Sequence, residues 1–129
     1  MGLKVIVEAE INPTEDDDKV MDAILKIFPD LECNVNSGVI QCTGKDISNF
    51  AKLLKEQRIR DAARHVLLSG VSENKIEVWL NKQAATVGRV SFSVGNAPLG
   101  DIHVIFISDN VSHLIDSVAP DTAQKQFHN

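Results

Sequence analysis

The stretch Leu3–Phe28, LKVIVEAEINPTEDDDKVMDAILKIF, changes its hydrophobic period once, and that change sets the fold class. Leu3, Val5, Val7, Ala9 and Ile11 alternate with Lys4, Glu8 and Glu10, the period of two expected of a half-buried strand. Pro13 ends the alternation. Thr14 is then the expected helix N-cap, with Glu15, Asp16 and Asp17 in a first turn where the helix dipole favours negative charge. Val20, Ile24 and Ile27, joined by Met21 and Phe28, repeat at helical spacing until Pro29. A strand that leads straight into an amphipathic helix points to mixed architecture.

Downstream, Cys33–Val35 and Val39–Thr43 read as a hairpin around Asn36-Ser37-Gly38. Residues 46–69 contain neither Gly nor Pro. Ile47, Phe50, Leu53 and Leu54 form one apolar face; Ile59, Ala62, Ala63, Val66 and Leu67 form another. The phase slips at Gln57-Arg58, which predicts two helices meeting at a kink. Gly70 ends the second. Lys75–Leu80 and Arg89–Val94 alternate as strands, and Asn96–Gly100 is a turn. Ile102–Ile107 is almost continuously apolar, as a central strand should be, and Asn110–Val118 is a short helix. The expectation is one α+β domain over residues 1–122, with a mostly antiparallel sheet and helices packed against it, and a fraying tail over 123–129.

Size and composition agree. The 129 residues, 43% apolar and 24% charged, suit one globular core. No apolar run approaches the ~20 residues of a membrane helix, and the N-terminus lacks a signal-peptide layout, so the expected location is the cytoplasm. Cys33 and Cys42 lie nine residues apart without a CxxC spacing or a nearby histidine. That favours buried free thiols over a zinc site, with a cross-strand disulfide geometrically allowed.

The net charge of −5 argues against strong, general nucleic-acid binding, but it is unevenly spread. Residues 1–50 carry −6, residues 51–89 carry +4 and residues 90–129 carry −3. The basic middle holds Lys52, Lys55, Arg58, Arg60 and Arg64 on the helical stretch, then Lys82 and Arg89. Spacings of three and four within each helix put these cations on shared faces that could track a phosphate backbone, or simply face solvent. Trp79 alternates away from Val78 and Leu80 and is a candidate for stacking an unpaired base. The competing placements for it are beneath a covering helix or in a subunit interface.

Catalytic and cofactor signals are sparse. Glu15–Asp18 are consecutive, so on a helix they fan out instead of converging on a cation; they read as a dipole-matched helix start. Gly95–Gly100 lies between strands and is not a phosphate loop. His65, His103, His113 and His128 do not cluster. Asp101 and His103 share a strand face at acid–base spacing, without a nucleophile beside them. The expectation is therefore a non-enzyme with no metal, cofactor or small-molecule substrate.

Several blocks together resemble a known family. They are Pro13-Thr14-Glu15-Asp16, Ile27-Phe28-Pro29, Gln57–Arg64 (QRIRDAAR), Leu80–Ala85 (LNKQAA), Gly100-Asp101-Ile102 and Ala119–Thr122 (APDT). In order and spacing they resemble the archaeal uncharacterised protein family two hundred and one of the UPF series, described as RNA-binding. The resemblance implies a fold similar to that of the fifth protein of the large ribosomal subunit, a homodimer, and RNA as partner. It carries no established catalytic or ligand residues. The expected RNA contacts are Lys55, Arg58, Arg64, Lys82 and Arg89, with Trp79 stacking or at an interface; a protein-interaction or assembly module is the alternative.

Overall fold

The computed structural model describes residues 2–97 and 99–121; the expected tail at 123–129 lies outside them. Strands β1 (Leu3–Glu10), β2 (Glu32–Asn36), β3 (Val39–Gly44), β4 (Val71–Ser72), β5 (Lys75–Asn81), β6 (Phe92–Ser93) and β7 (Asp101–Ser108) form one sheet. Its order is β2-β3-β1-β7-β5-β4, with β6 also on the outer edge of β5. All the described pairings are antiparallel. The helices are α1 (Asp17–Ile27), α2 (Ser48–Glu56), α3 (Arg60–Ser69), α4 (Lys82–Thr86) and α5 (Val111–Val118).

Strand alternation separates two faces. Val5, Val7, Ala9, Ile40, Ile76, Val78, Val104 and Phe106 are buried beneath the helices. Phe28, Phe50 and Phe106 join the end of α1, α2 and β7 in one aromatic cluster, with ring centroids 5.4–6.1 Å apart. Each such pair is worth about 0.5–1.5 kcal/mol beyond the area it buries. The opposite face carries Lys4, Glu8, Gln41, Glu77, Trp79 and His103, all exposed or half-buried.

The kink falls where the phase slip put it. Arg58 has φ 59°, and its N–H and that of Ile59 return to Lys55 and Leu54 carbonyls, closing α2 before α3 starts. Gly70 lets α3 end against β5: its carbonyl accepts from Glu77 N at 3.0 Å, and a Cβ there would run into the Glu77 carbonyl.

Four expectations need correction. The N-cap of α1 is Asp16, not Thr14; its carboxylate accepts from Asp18 N at 2.9 Å. Asn12 displaces the start, because its side chain takes Thr14 N–H and its carbonyl takes Glu15 N–H. The cysteines are not free thiols: Cys33 and Cys42 face each other across β2 and β3 and are disulfide-bonded. The strand expected over Arg89–Val94 shrinks to Phe92–Ser93, since Val90 N–H goes to a side chain instead of a ladder and Val94 is 80% exposed. Lys82 lies in α4, which the strand reading overlooked; Asn81 ends β5 and caps this five-residue helix by accepting from Ala84 N at 2.9 Å.

Candidate nucleic-acid interface

The α2–α3 corner is tied to the segment before β6 by a side chain that sequence patterning does not reveal. Gln57, at the C-cap of α2, donates from Nε2 to the Val90 carbonyl at 2.9 Å and accepts from Val90 N–H at 2.7 Å. The amide thus stands in for a strand partner. Arg58 follows Gln57 and Arg89 precedes Val90, so the clamp ties both cations to one corner. Both are exposed, as are Lys55 and Lys52 on the outer side of α2. Lys55, Arg58 and Arg89 are therefore open to solvent.

Arg64 and Lys82 are placed differently. Arg64 Nη1 donates to Asp116 Oδ1 at 2.7 Å and to the Ala119 carbonyl at 3.0 Å, fastening α3 to the end of α5. Its side chain is 25% exposed. Lys82 is 3% exposed. Its ammonium has three donors and uses all of them: Glu10 O at 2.6 Å, Leu99 O at 2.6 Å and Glu15 Oε1 at 3.0 Å. It joins the end of β1, the approach to α1 and the loop before β7, and has no donor left for a phosphate. Burial alone would push the Glu15 carboxyl up, but the Asn12 N–H at 2.7 Å and the Lys82 charge outweigh it and hold it below its usual value.

Trp79 alternates onto the face opposite the core, and among the described residues no helix covers it. His103 on β7 stacks on one side of the indole at 4.8 Å between centroids. Gly95 approaches from the other edge of β5, where a Cβ would sit 2.7 Å from the ring. Trp79 is half-buried between them. Glu77 Oε2 holds His103 Nε2 at 2.5 Å, while Asp101 accepts from Ala97 N–H at 3.2 Å. Asp101 and His103 are thus each turned to another partner and do not form an acid–base couple. They line a cavity of about 300 Å³ with Glu8, Glu10 and Trp79. Among the described residues, no cluster of three or more His, Cys, Asp or Glu side chains is placed to hold a metal ion, and no helix is long and apolar enough to cross a membrane.

Comparison with known proteins agrees with the architecture and the sequence blocks. A family model described as RNA binding matches residues 4–107. A UPF0201 protein of Methanothermobacter thermautotrophicus is 39% identical over 123 residues, covering 93% of each chain. A UPF0200/UPF0201 protein of Archaeoglobus fulgidus is 38% identical over 124 residues; the match covers 94% of this chain but only 38% of that protein's length. Among solved structures, a UPF0201 protein superposes with TM-score 0.87 at 37% identity, covering 92% of this chain and 94% of that one. The UPF0201 protein of Methanococcus jannaschii superposes with TM-score 0.84 at 36% identity, covering 92% and 93%. Matched over most of its length by sequence, family model and fold, the chain belongs to the archaeal UPF0201 family.

Proposed function

We propose that the protein is a cytoplasmic, homodimeric RNA-binding domain that contacts phosphates through Lys55, Arg58 and Arg89. The observation that carries this reading is the Gln57–Val90 clamp, which supports two cations from distant parts of the chain at one exposed corner. The family model's description supports RNA as the partner. Similarity to the fold of the fifth protein of the large ribosomal subunit belongs to the same proposal and rests on the sequence blocks alone.

In this reading, Arg64 and Lys82 act in folding and Trp79 packs against His103 and Gly95. Binding by a few phosphate contacts, without stacking, is weak, salt-sensitive and tolerant of sequence. The acidic total keeps it from becoming general nucleic-acid adhesion. Titration of labelled structured RNA at low salt should show saturable binding that Arg58→Glu with Arg89→Glu abolishes; wild-type protein that binds no RNA would overturn the function. Affinity capture with and without nuclease distinguishes the assembly-module alternative, for which the captured partners survive nuclease.

A further inference from the structure

The cavity of about 300 Å³ on the outer face of the sheet is lined by carboxylates and aromatic rings and, among the described residues, by no lysine or arginine. Strand register brings these groups together. Glu8, His103 and Trp79 sit side by side on β1, β7 and β5. Two residues further along, Glu10 on β1 and Asp101 on β7 share their face, because alternate residues of a strand point the same way. Gly95 lies against the indole and completes the wall. Lys82 holds the Glu10 carbonyl, but its charge is answered by Glu15. Lys4 and Lys75 stand four residues along β1 and β5 from Glu8 and Trp79, about 13 Å away at ~3.3 Å per residue.

Asp101 points to what the cavity takes. It is only 6% exposed. Its Oδ2 accepts from Ala97 N–H at 3.2 Å, while its Oδ1 has no hydrogen-bond partner among the described residues. Among those residues no fully enclosed side-chain oxygen lacks a partner, so Oδ1 opens onto the cavity that Asp101 lines. A buried carboxylate with a free acceptor is best satisfied by a donor that carries positive charge. Glu8 presents a second carboxylate, steadied by Gln41 Nε2 at 3.1 Å. Asp101 is two residues along β7 from the residue that pairs with Glu8, so their Cα atoms are about 8 Å apart at ~3.3 Å per residue and ~4.8 Å between strands. These carboxylates do not converge on one metal ion. A short chain with an ammonium group at each end matches their spread, with its methylenes along the stacked Trp79 and His103 rings. A volume of about 300 Å³ is at the small end for ligand sites and suits a thin, flexible cation.

We infer that this cavity binds a small organic diamine or polyamine cation, with one ammonium group on Asp101 Oδ1 and another on Glu8. The test is titration of the full chain with spermidine at low salt, followed by calorimetry and by the emission of Trp79, the one tryptophan of the chain. Saturable heat and a saturable change in emission are expected together. Asp101→Asn keeps an acceptor for Ala97 N–H and should weaken binding about tenfold or more; Glu8→Gln, at the exposed rim, should weaken it about threefold or more. Glu32→Gln, an exposed position on β2 outside the cavity, should leave affinity within about twofold. Circular dichroism checks that the fold is kept; should Asp101→Asn unfold, the contrast between Glu8→Gln and Glu32→Gln decides. No saturable change up to about 10 mM spermidine overturns the inference, as does heat without a change in Trp79 emission. An equal response to magnesium at matched ionic strength, or Glu32→Gln weakening binding as much as the cavity variants, also overturns it, because either shows general attraction to an acidic chain.

Discussion

Gln57 and Val90 hold each other by two hydrogen bonds, Nε2 to the Val90 carbonyl at 2.9 Å and Val90 N–H to Oε1 at 2.7 Å. Val90 is buried, so neither backbone group has water as a ready substitute. Gln57→Ala should cost about 2–3 kcal/mol, the desolvation of one unsatisfied donor and one acceptor, read as a lower urea midpoint. It should also weaken RNA binding without removing a cation, because Arg89 loses its tether.

Lys82 is a fold-holding cation. Lys82→Met removes the ammonium but leaves Glu15 and the Glu10 and Leu99 carbonyls without their donor. Loss of about 3 kcal/mol or more is expected in chemical denaturation, against a change near zero for Lys55→Met on the surface.

Glu15 makes part of this stability pH-dependent. Folding lowers its carboxyl from the ordinary value of 4.5. A lowered carboxyl contributes stability above its unfolded value and loses that contribution as pH falls through the folded one. Glu15→Gln should therefore be less stable than wild type at neutral pH, with the difference shrinking between about pH 5 and pH 3, followed by thermal melts across that range.

The Cys33–Cys42 bridge closes a loop of nine residues' separation and pins the edge strand β2 to β3. Chain-entropy arguments give about 2–3 kcal/mol for a loop of this size. Cys33→Ser with Cys42→Ser should lower the denaturation midpoint accordingly. The core beneath α1 and α2 should persist, because β2 lies at the end of the sheet.

Where side-chain period alone decides an element, the sequence was legible. β1, the hairpin of β2 and β3, the broken helix at Gln57-Arg58 and the central strand β7 all follow from apolar spacing and breakers. Start and end details depended on side chains that compete for backbone groups: Asn12 moved the start of α1, and Gln57 took Val90 out of a strand. The candidate site was legible as composition, since the basic segment is visible in the chain. Its division was not. Lys82 and Arg89 read alike in sequence, yet one is enclosed by Glu10, Glu15 and Leu99 while the other is exposed. Trp79 alternated correctly onto the outer face, but Gly95 in the loop after β6 and His103 on β7, which pack against the indole, are not brought to it by any local pattern.

The most direct test of the proposed RNA-binding corner is the salt dependence of RNA affinity for wild type against Arg58→Gln with Arg89→Gln. Each phosphate contact adds about 0.7–0.9 to the slope of log affinity against log salt. Loss of two contacts should flatten that slope by about 1.5 while circular dichroism stays unchanged. An unchanged slope, with RNA still bound, would contradict the account.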